Sequence, residues 1–214
     1  MNISEIIDRF EIKEALHFTT NLGLLGILDS GKVRSRKRLK NDNRLDFILK
    51  LNTPIVRDPA WVDYVNLSLT RINSNLFEIS SEKWHSGNRE LWWCVLSFDT
   101  CILAHEGVFF TTTNNIYPSA KRRQGPEGLE SLFAPVVLGK YGAEIRRTNE
   151  ITCACPTCEQ AEVLYPGELS TRFLKKIYVA TDEDQDDVYG QLSGVRHPNI
   201  PVIINPGIFR GSSA

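Results

Sequence analysis

The chain has 214 residues, 42% of them hydrophobic and 24% charged, with a formal net charge of −1. That is an ordinary composition for a soluble globular protein, long enough to bury a core within a single domain over 1–214. No stretch approaches the roughly 18 to 20 apolar residues that a membrane helix needs. The acid-bearing N-terminus also lacks the basic start and apolar run of a secretory signal, and five cysteines, an odd number, do not read as a disulfide framework. The expected location is cytoplasmic.

In chain order, Ile3, Ile6, Ile7 and Phe10 recur at helical spacing and predict a helix over 3–14. After the apolar entry ALHF, the segment TTNLGLLGILDSG predicts a helix capped by Thr20 or Asn21. Leu22, Leu25 and Leu28 would form its apolar face, and Gly31 is the expected stop. KVRSRKRLK at 32–40 then places six cations in nine residues without an acid. Such a run is a candidate polyanion contact or a solvated, charged connection. The stretch 41–59, interrupted by Pro54 and Pro59, reads as loop with a short helix at 44–51.

YVNLSL at 64–69 alternates, with Val65, Leu67 and Leu69 on one face and Asn66 and Ser68 on the other, as in a half-buried strand. Asn73–Trp84 reads as a capped helix or turn. WWCVLSF at 92–98, GVFFTTT at 107–113, AEVLY at 161–165, KKIYVA at 175–180 and IPVIIN near the end are further strands. GLESLFAPVVL predicts a short helix and DEDQDDVYGQL an acidic one, with loops at 114–127 and 147–159. Short strands in mixed order with a few helices indicate an α+β fold. The phosphate loops G-x-G-x-x-G and G-x-x-x-x-G-K-[ST] are both absent, so a nucleotide site here is of another kind.

Two pairs of residues carry candidate chemistry. Gln160 and Glu162 lie two apart, so on a strand they point the same way. A carboxylate and an amide together can bind a ribose hydroxyl, stabilise positive charge on the sugar and take a proton from an attacking group. A solvent-facing glutamate at a strand start is the plain alternative. His17 and Thr19 are paired in the same way on an extended segment, where a structural histidine is the plain alternative.

ALHFTTNLGLLGILDSG resembles the opening NAD⁺-binding segment of the DarT family of ADP-ribosyltransferases. NDNRLD at 41–46, VNLSLT at 65–70, the following asparagine and Leu-Phe pair at 75–77, WWCVLSFD, VFFTTTNN and PTCEQAEVL follow the family's order over roughly residues 12–180. The resemblance implies the ADP-ribosyltransferase fold, a split mixed β-sheet with flanking helices. It implies that His17 and Thr19 hold the nicotinamide side of NAD⁺ and that Glu162 is the catalytic carboxylate with Gln160 beside it. Arg44 matches the family's catalytic and phosphate-contacting arginine, with Arg57 as the competing position. Gly23 stands where the family commonly has an asparagine, and Asn21 nearby is the candidate for that contact. The loop 149–159 would recognise the acceptor.

The activity so implied is transfer of ADP-ribose from NAD⁺ to a nucleobase of single-stranded DNA or RNA. It belongs to a toxin or anti-phage effector neutralised by an antitoxin, either a macrodomain hydrolase or a binding protein. A reactive base must be unpaired or flipped out, and Arg34, Arg36, Lys37 and Arg38 would suit its phosphate backbone. Lys121, Arg122 and Arg123 form a second small cluster, and Tyr117 or Trp84 can stack a base. A protein-directed transferase or an NAD⁺ glycohydrolase on the same fold is the alternative, and a non-catalytic nucleic-acid-binding module is a third reading. Cys153, Cys155 and Cys158 form C-x-C-x-x-C, a spacing that zinc sites use. It lacks an obvious fourth ligand, so the expectation is reduced thiols and no metal.

Overall fold

The computed structural model describes residues 1–42, 45, 59–84 and 90–210. In chain order the elements are α1 (Ile3–Arg9), β1 (Ala15–Thr20), α2 (Asn21–Ser30), β2 (Lys32–Arg34), α3 (Arg36–Lys40), β3 (Tyr64–Leu69), α4 (Ser74–Glu78) and β4 (Trp93–Phe98). They continue with β5 (Phe109–Thr111), β6 (Arg122–Gln124), α5 (Gly125–Ser131), β7 (Val136–Leu138), β8 (Glu144–Arg146), β9 (Glu162–Pro166), β10 (Glu168–Ser170), β11 (Leu174–Val179), α6 (Asp182–Gly194) and β12 (Val202–Ile204).

Eight strands make one sheet in the order β12-β11-β4-β1-β3-β9-β5-β6. Every neighbouring pair is antiparallel except β11 and β12, so the sheet is mixed. The junction at its centre positions the site. β1 pairs with β4 along its whole length, from Ala15↔Phe98 to Thr20↔Trp93. With β3 it pairs only at Ala15↔Leu69 and Leu16↔Ser68. Beyond Leu16 the two strands part, and the sheet is split there.

Period-two burial then fills both faces. Val65, Leu67 and Leu69 join Leu24, Ile27, Leu96, Phe98, Phe110 and Val163 in the larger core. On the other face Leu16, Val95 and Tyr178 pack with Ile72 and Ile208. Buried Glu14 accepts a hydrogen bond from the Tyr178 hydroxyl at 2.9 Å and pairs with Lys176, which satisfies a carboxylate that would otherwise be costly to bury.

Local chemistry explains the element ends. The Thr20 hydroxyl accepts from the Gly23 N–H at 3.1 Å and caps α2, and Gly31 closes it in the left-handed region at φ 68°. The expected face of α2 is corrected: Leu22 and Leu25 are 40% and 36% exposed, and the buried residues are Leu24, Ile27 and Leu28. In a helix preceded by a buried strand, the cap fixes the rotation, and three leucines at spacing three did not reveal it. The first helix is also shorter than expected. It ends at Arg9, and Glu11 takes φ 54° to turn the chain into β1. The helix expected from Gly128 begins at Gly125, and its distal part is instead strand β7. The short helix expected at 44–51 lies outside the described residues save Leu45.

The basic run is built into this frame. It forms β2, which pairs with β10, and α3, capped by Ser35. Lys32 bonds Glu168, Arg34 bonds Asp42, and Arg38 reaches Asp63 at 3.2 Å and Glu168 at 3.7 Å, with Lys37 3.6 Å from Asp63. The Ser35 hydroxyl bond, then Arg38 and Lys37, hold the Asp63 carboxyl below its ordinary 3.8. The Lys32 bond, with Arg38 and Arg34 beyond it, holds Glu168 below 4.5. A depressed carboxyl stabilises the fold fully above its unfolded value, and that stabilisation is lost as pH falls through the folded one. Asp63→Asn and Glu168→Gln are therefore expected to lower the urea midpoint at neutral pH. The gap from the parent should narrow once pH falls below the ordinary carboxyl values and close as it passes the lowered folded ones; a gap unchanged with pH would refute these pairings. Among the described residues no helix is long and apolar enough to cross a membrane.

Candidate active site

The split between β1 and β3 opens into a cleft whose free space, counted out into the solvent at its mouth, is about 1380 Å³. Register explains its lining. Leu16 pairs with Ser68, so alternation sends His17 and Thr19 to the opposite face from Asn66 and Ser68. In a continuous sheet these residues could not meet; here His17, Thr19, Asn66, Ser68 and Glu162 line one cavity.

Asn66 ties the two edges together. Its backbone carbonyl lies 3.0 Å from His17 Nδ1. A carbonyl only accepts, so Nδ1 carries the proton in the neutral ring and Nε2 is the acceptor. Its side-chain Nδ2 donates to Glu162 Oε1 at 2.9 Å. The other carboxylate oxygen, Oε2, accepts the Asn115 backbone N–H at 2.8 Å. Glu162 opens β9, is only 7% exposed, and pairs through its backbone with Thr111. Two N–H donors favour the ionised carboxylate.

Arg122 organises the loop that supplies the second donor. Its guanidinium donates to Asn115 Oδ1 at 2.6 Å, to the Ala120 carbonyl at 3.1 Å, to the Tyr117 carbonyl at 3.3 Å and to the Asn115 carbonyl. One planar fork thus closes the turn 115–120 and presents the Asn115 N–H to Glu162. This corrects the reading of Lys121, Arg122 and Arg123 as one phosphate cluster, since Arg122 is spent on its own loop. Trp61, which also lines the cleft, has its ring centroid 5.8 Å from Arg122.

The remaining expected residues divide. Arg34 and Arg36 line the cleft together with Lys32, whereas Lys37 and Arg38 do not. Asn21 starts α2 and donates its amide to the Glu90 carbonyl at 3.0 Å, outside the cleft lining. Gln160 sits in the turn before β9, half-buried and not on the strand, and it too is not among the lining residues. The strand expected from 161 begins at Glu162, which breaks the alternation on which that pairing depended. Arg44, Arg57 and the side chain of Trp84 lie outside the described residues. The absence of a side chain at Gly23 has a local reason, because a Cβ there would stand 2.1 Å from Thr19 Oγ1.

The loop before β9 is pinned from several directions. Arg147 donates to the carbonyls of Thr152 at 2.7 Å, Cys153 at 3.3 Å and Cys155 at 2.8 Å. The Thr70 hydroxyl donates to the Ala154 carbonyl at 2.7 Å, and Glu159 accepts the Ser74 N–H at 2.8 Å, joining the loop to the start of α4. Cys155 and Cys158 are buried and Cys153 exposed, all three as free thiols. Among the described residues no group of three or more His, Cys, Asp or Glu is placed to hold a metal ion.

Asn66, Asn115 and Arg122 were not singled out from the sequence. Asn66 was visible only as a polar residue on the non-core face of a strand; what it touches depends on non-local register.

Comparison with known proteins gives a family match over residues 16–210, described as "ssDNA thymidine ADP-ribosyltransferase, DarT". Among curated proteins no sequence matches. Of the solved structures, Thermus sp. 2.9 DarT in complex with NAD⁺ superposes with a TM-score of 0.64 at 19% identity, covering 92% of this chain and 97% of that one. The same protein in complex with ADP-ribosylated ssDNA gives 0.64 at 19% identity, covering 92% and 96%. Thermosipho africanus DarTG in complex with ADP-ribose gives 0.59 at 14% identity, covering 94% of this chain and 52% of that one. These likenesses establish the fold, a mixed sheet with flanking helices.

Proposed function

Since this chain belongs to the DarT family of ssDNA thymidine ADP-ribosyltransferases, an NAD⁺-dependent class of transferase, we propose that the split-sheet cleft is where it takes ADP-ribose from NAD⁺ and passes it to thymidine in single-stranded DNA. The observation that carries this reading is Glu162, a buried carboxylate with both oxygens held by N–H donors at the end of a cleft lined with cations and aromatic rings.

The donor set fits the substrate. His17 and Thr19 are assigned to the nicotinamide side. Arg34 and Arg36, expected from sequence to meet the acceptor's backbone, are reassigned to the pyrophosphate of NAD⁺ because they line the same cavity; Lys37 and Arg38 stay as acceptor contacts. On the resemblance alone, Arg44 is the active-site arginine, while Asn21 and Gln160 keep only supporting parts at the cleft's margin.

In the reaction the glycosidic C–N bond of the nicotinamide riboside breaks and nicotinamide leaves with the electron pair. Positive charge develops on the ribose, and the fixed Glu162 carboxylate stabilises it without reorganising. The acceptor's free ring N–H, the one in thymine not bonded to sugar, forms the new C–N bond and gives up its proton, for which Glu162 is the assigned base. A paired base hides that N–H, which accounts for a single-stranded acceptor. The cell location assigned is the cytoplasm, where an active enzyme of this kind needs a neutralising partner. On the family resemblance, that partner is an antitoxin, either a macrodomain hydrolase or a binding protein.

The test is incubation with labelled NAD⁺ and separate pools of single-stranded DNA, duplex DNA, RNA and protein. Label on single-stranded DNA is expected; label on protein, or release of free ADP-ribose alone, would discard the thymidine assignment in favour of a protein-directed transferase or a glycohydrolase.

Thr19 gives a finer check. Gly23→Ala places a methyl where the Thr19 hydroxyl now sits, so the hydroxyl must swing away while the helix gains propensity. The KM for NAD⁺ is expected to rise about fivefold, one hydrogen bond's worth, with kcat and the melting temperature nearly unchanged. An unchanged KM would remove Thr19 from the NAD⁺ site.

A further inference from the structure

β7 and β8 form a hairpin in the register Val136↔Arg146, Val137↔Ile145 and Leu138↔Glu144. It closes through Lys140–Ala143, with the Ala143 N–H bonded to the Lys140 carbonyl at 3.2 Å. Both central residues are left-handed, Tyr141 at φ 58°, ψ 22° and Gly142 at φ 77°. Such a left-handed pair is one that Asn-Gly adopts without strain, here within the longer connection 139–143 that the Leu138↔Glu144 register leaves. A tyrosine at its first central position is an outlier that stores strain, and the side chain recovers nothing from packing, being 93% exposed. The Lys140 ammonium stands 5.1 Å from its ring centroid.

Two tethers join this hairpin to the segments on either side of Glu162. The Ser119 hydroxyl donates to the Gly139 carbonyl at 2.6 Å, and Ser119 belongs to the turn whose Asn115 N–H holds the Glu162 carboxylate. At the stem the Arg147 N–H bonds the Pro135 carbonyl at 2.9 Å, and the Arg147 guanidinium holds the loop before β9. Between residues 116 and 147 the chain carries six cations against three acids, with Lys121 and Lys140 exposed.

We propose that this hairpin is a docking surface for single-stranded DNA, with the Tyr141 ring stacking an unpaired base and Lys140 and Lys121 meeting the backbone next to it. The inference rests on the reading of the cleft given above. An exposed ring beside cations is how single strands are held without sequence readout. A protein partner would instead need a broad apolar patch, and here the exposed Val136 and Leu138 are paired across the hairpin with the exposed charges Arg146 and Glu144.

Tyr141→Asn separates function from fold, because it restores the unstrained turn while removing the ring. Binding of a labelled oligothymidylate, the KM for NAD⁺ and the melting temperature would be measured for the parent, Tyr141→Asn, Tyr141→Ala and Tyr141→Phe. The expected result is DNA binding weakened roughly 5- to 100-fold in the Asn and Ala variants, retained in Phe, with the KM for NAD⁺ unchanged and the Asn variant melting a few degrees higher. Parent-like DNA binding by Tyr141→Asn, in a protein that still modifies DNA, would overturn the proposal and leave the cleft's assignment intact. Equal loss of NAD⁺ affinity would overturn it as well, by making the hairpin part of the cleft's own support. A parent that turns over NAD⁺ but neither binds nor modifies single-stranded DNA would sink the thymidine reading, and this inference with it.

Discussion

Glu162→Gln is expected to reduce ADP-ribosyl transfer about a thousand-fold, the scale of losing a preorganised charge at a transition state, in a protein that still folds. Glutamine preserves volume but not chemistry. Both carboxylate oxygens now accept, one from Asn66 Nδ2 and the other from the Asn115 N–H, whereas an amide offers one acceptor and one donor. Its NH₂ must therefore face an N–H. That mismatch costs about 1–3 kcal/mol locally and a few degrees of melting temperature, and it leaves no negative charge to oppose the ribosyl cation. Glu162→Ala removes the mismatch as well as the charge, so the two variants should differ in stability and agree in inactivity. Single-turnover transfer to single-stranded DNA beside thermal melts decides it, and either variant keeping transfer within about tenfold of the parent would disqualify Glu162.

The fold was legible in sequence wherever a local rule decides. Thr20 and Gly31 bracket α2 because a cap and a left-handed stop are properties of a few adjacent residues. Val65, Leu67 and Leu69 announce β3 because period two is intrinsic to a strand. What local rules could not supply is pairing. That β1 meets β3 at only two positions follows from the packing of the whole sheet, and it is this short junction that makes the cleft. The basic run shows the same limit. Read along the chain it is a stripe of free charge; in the fold, Asp42, Asp63 and Glu168 meet four of its cations, and the two middle arginines, Arg34 and Arg36, face the cavity. His17 and Glu162 were legible as a pair because a family resemblance joined them; Asn66, which physically joins them, was not.

That linkage gives the second large effect. Asn66→Asp replaces the Nδ2 donor, 2.9 Å from Glu162 Oε1, with an oxygen at hydrogen-bond distance from a carboxylate. Two carboxylates so close cannot both ionise freely and come to share a proton. Near neutral pH the pair keeps one negative charge, but it is shared with the new carboxyl and the proton sits between them. Glu162 is then both a poorer base and a less fixed charge against the ribosyl cation, and transfer should fall about a hundredfold. The acid limb of the pH–rate profile should move to higher pH, with activity returning as alkali removes the shared proton. Asn66→Ala loses the donor without adding charge. Its fall should be nearer tenfold, with the acid limb displaced less. The backbone carbonyl that fixes His17 is retained in both variants, so the KM for NAD⁺ should change less than kcat. If Asn66→Asp and Asn66→Ala showed the same rate and the same pH profile, Asn66 would be a packing residue and the coupling of the two strand edges through it would be wrong.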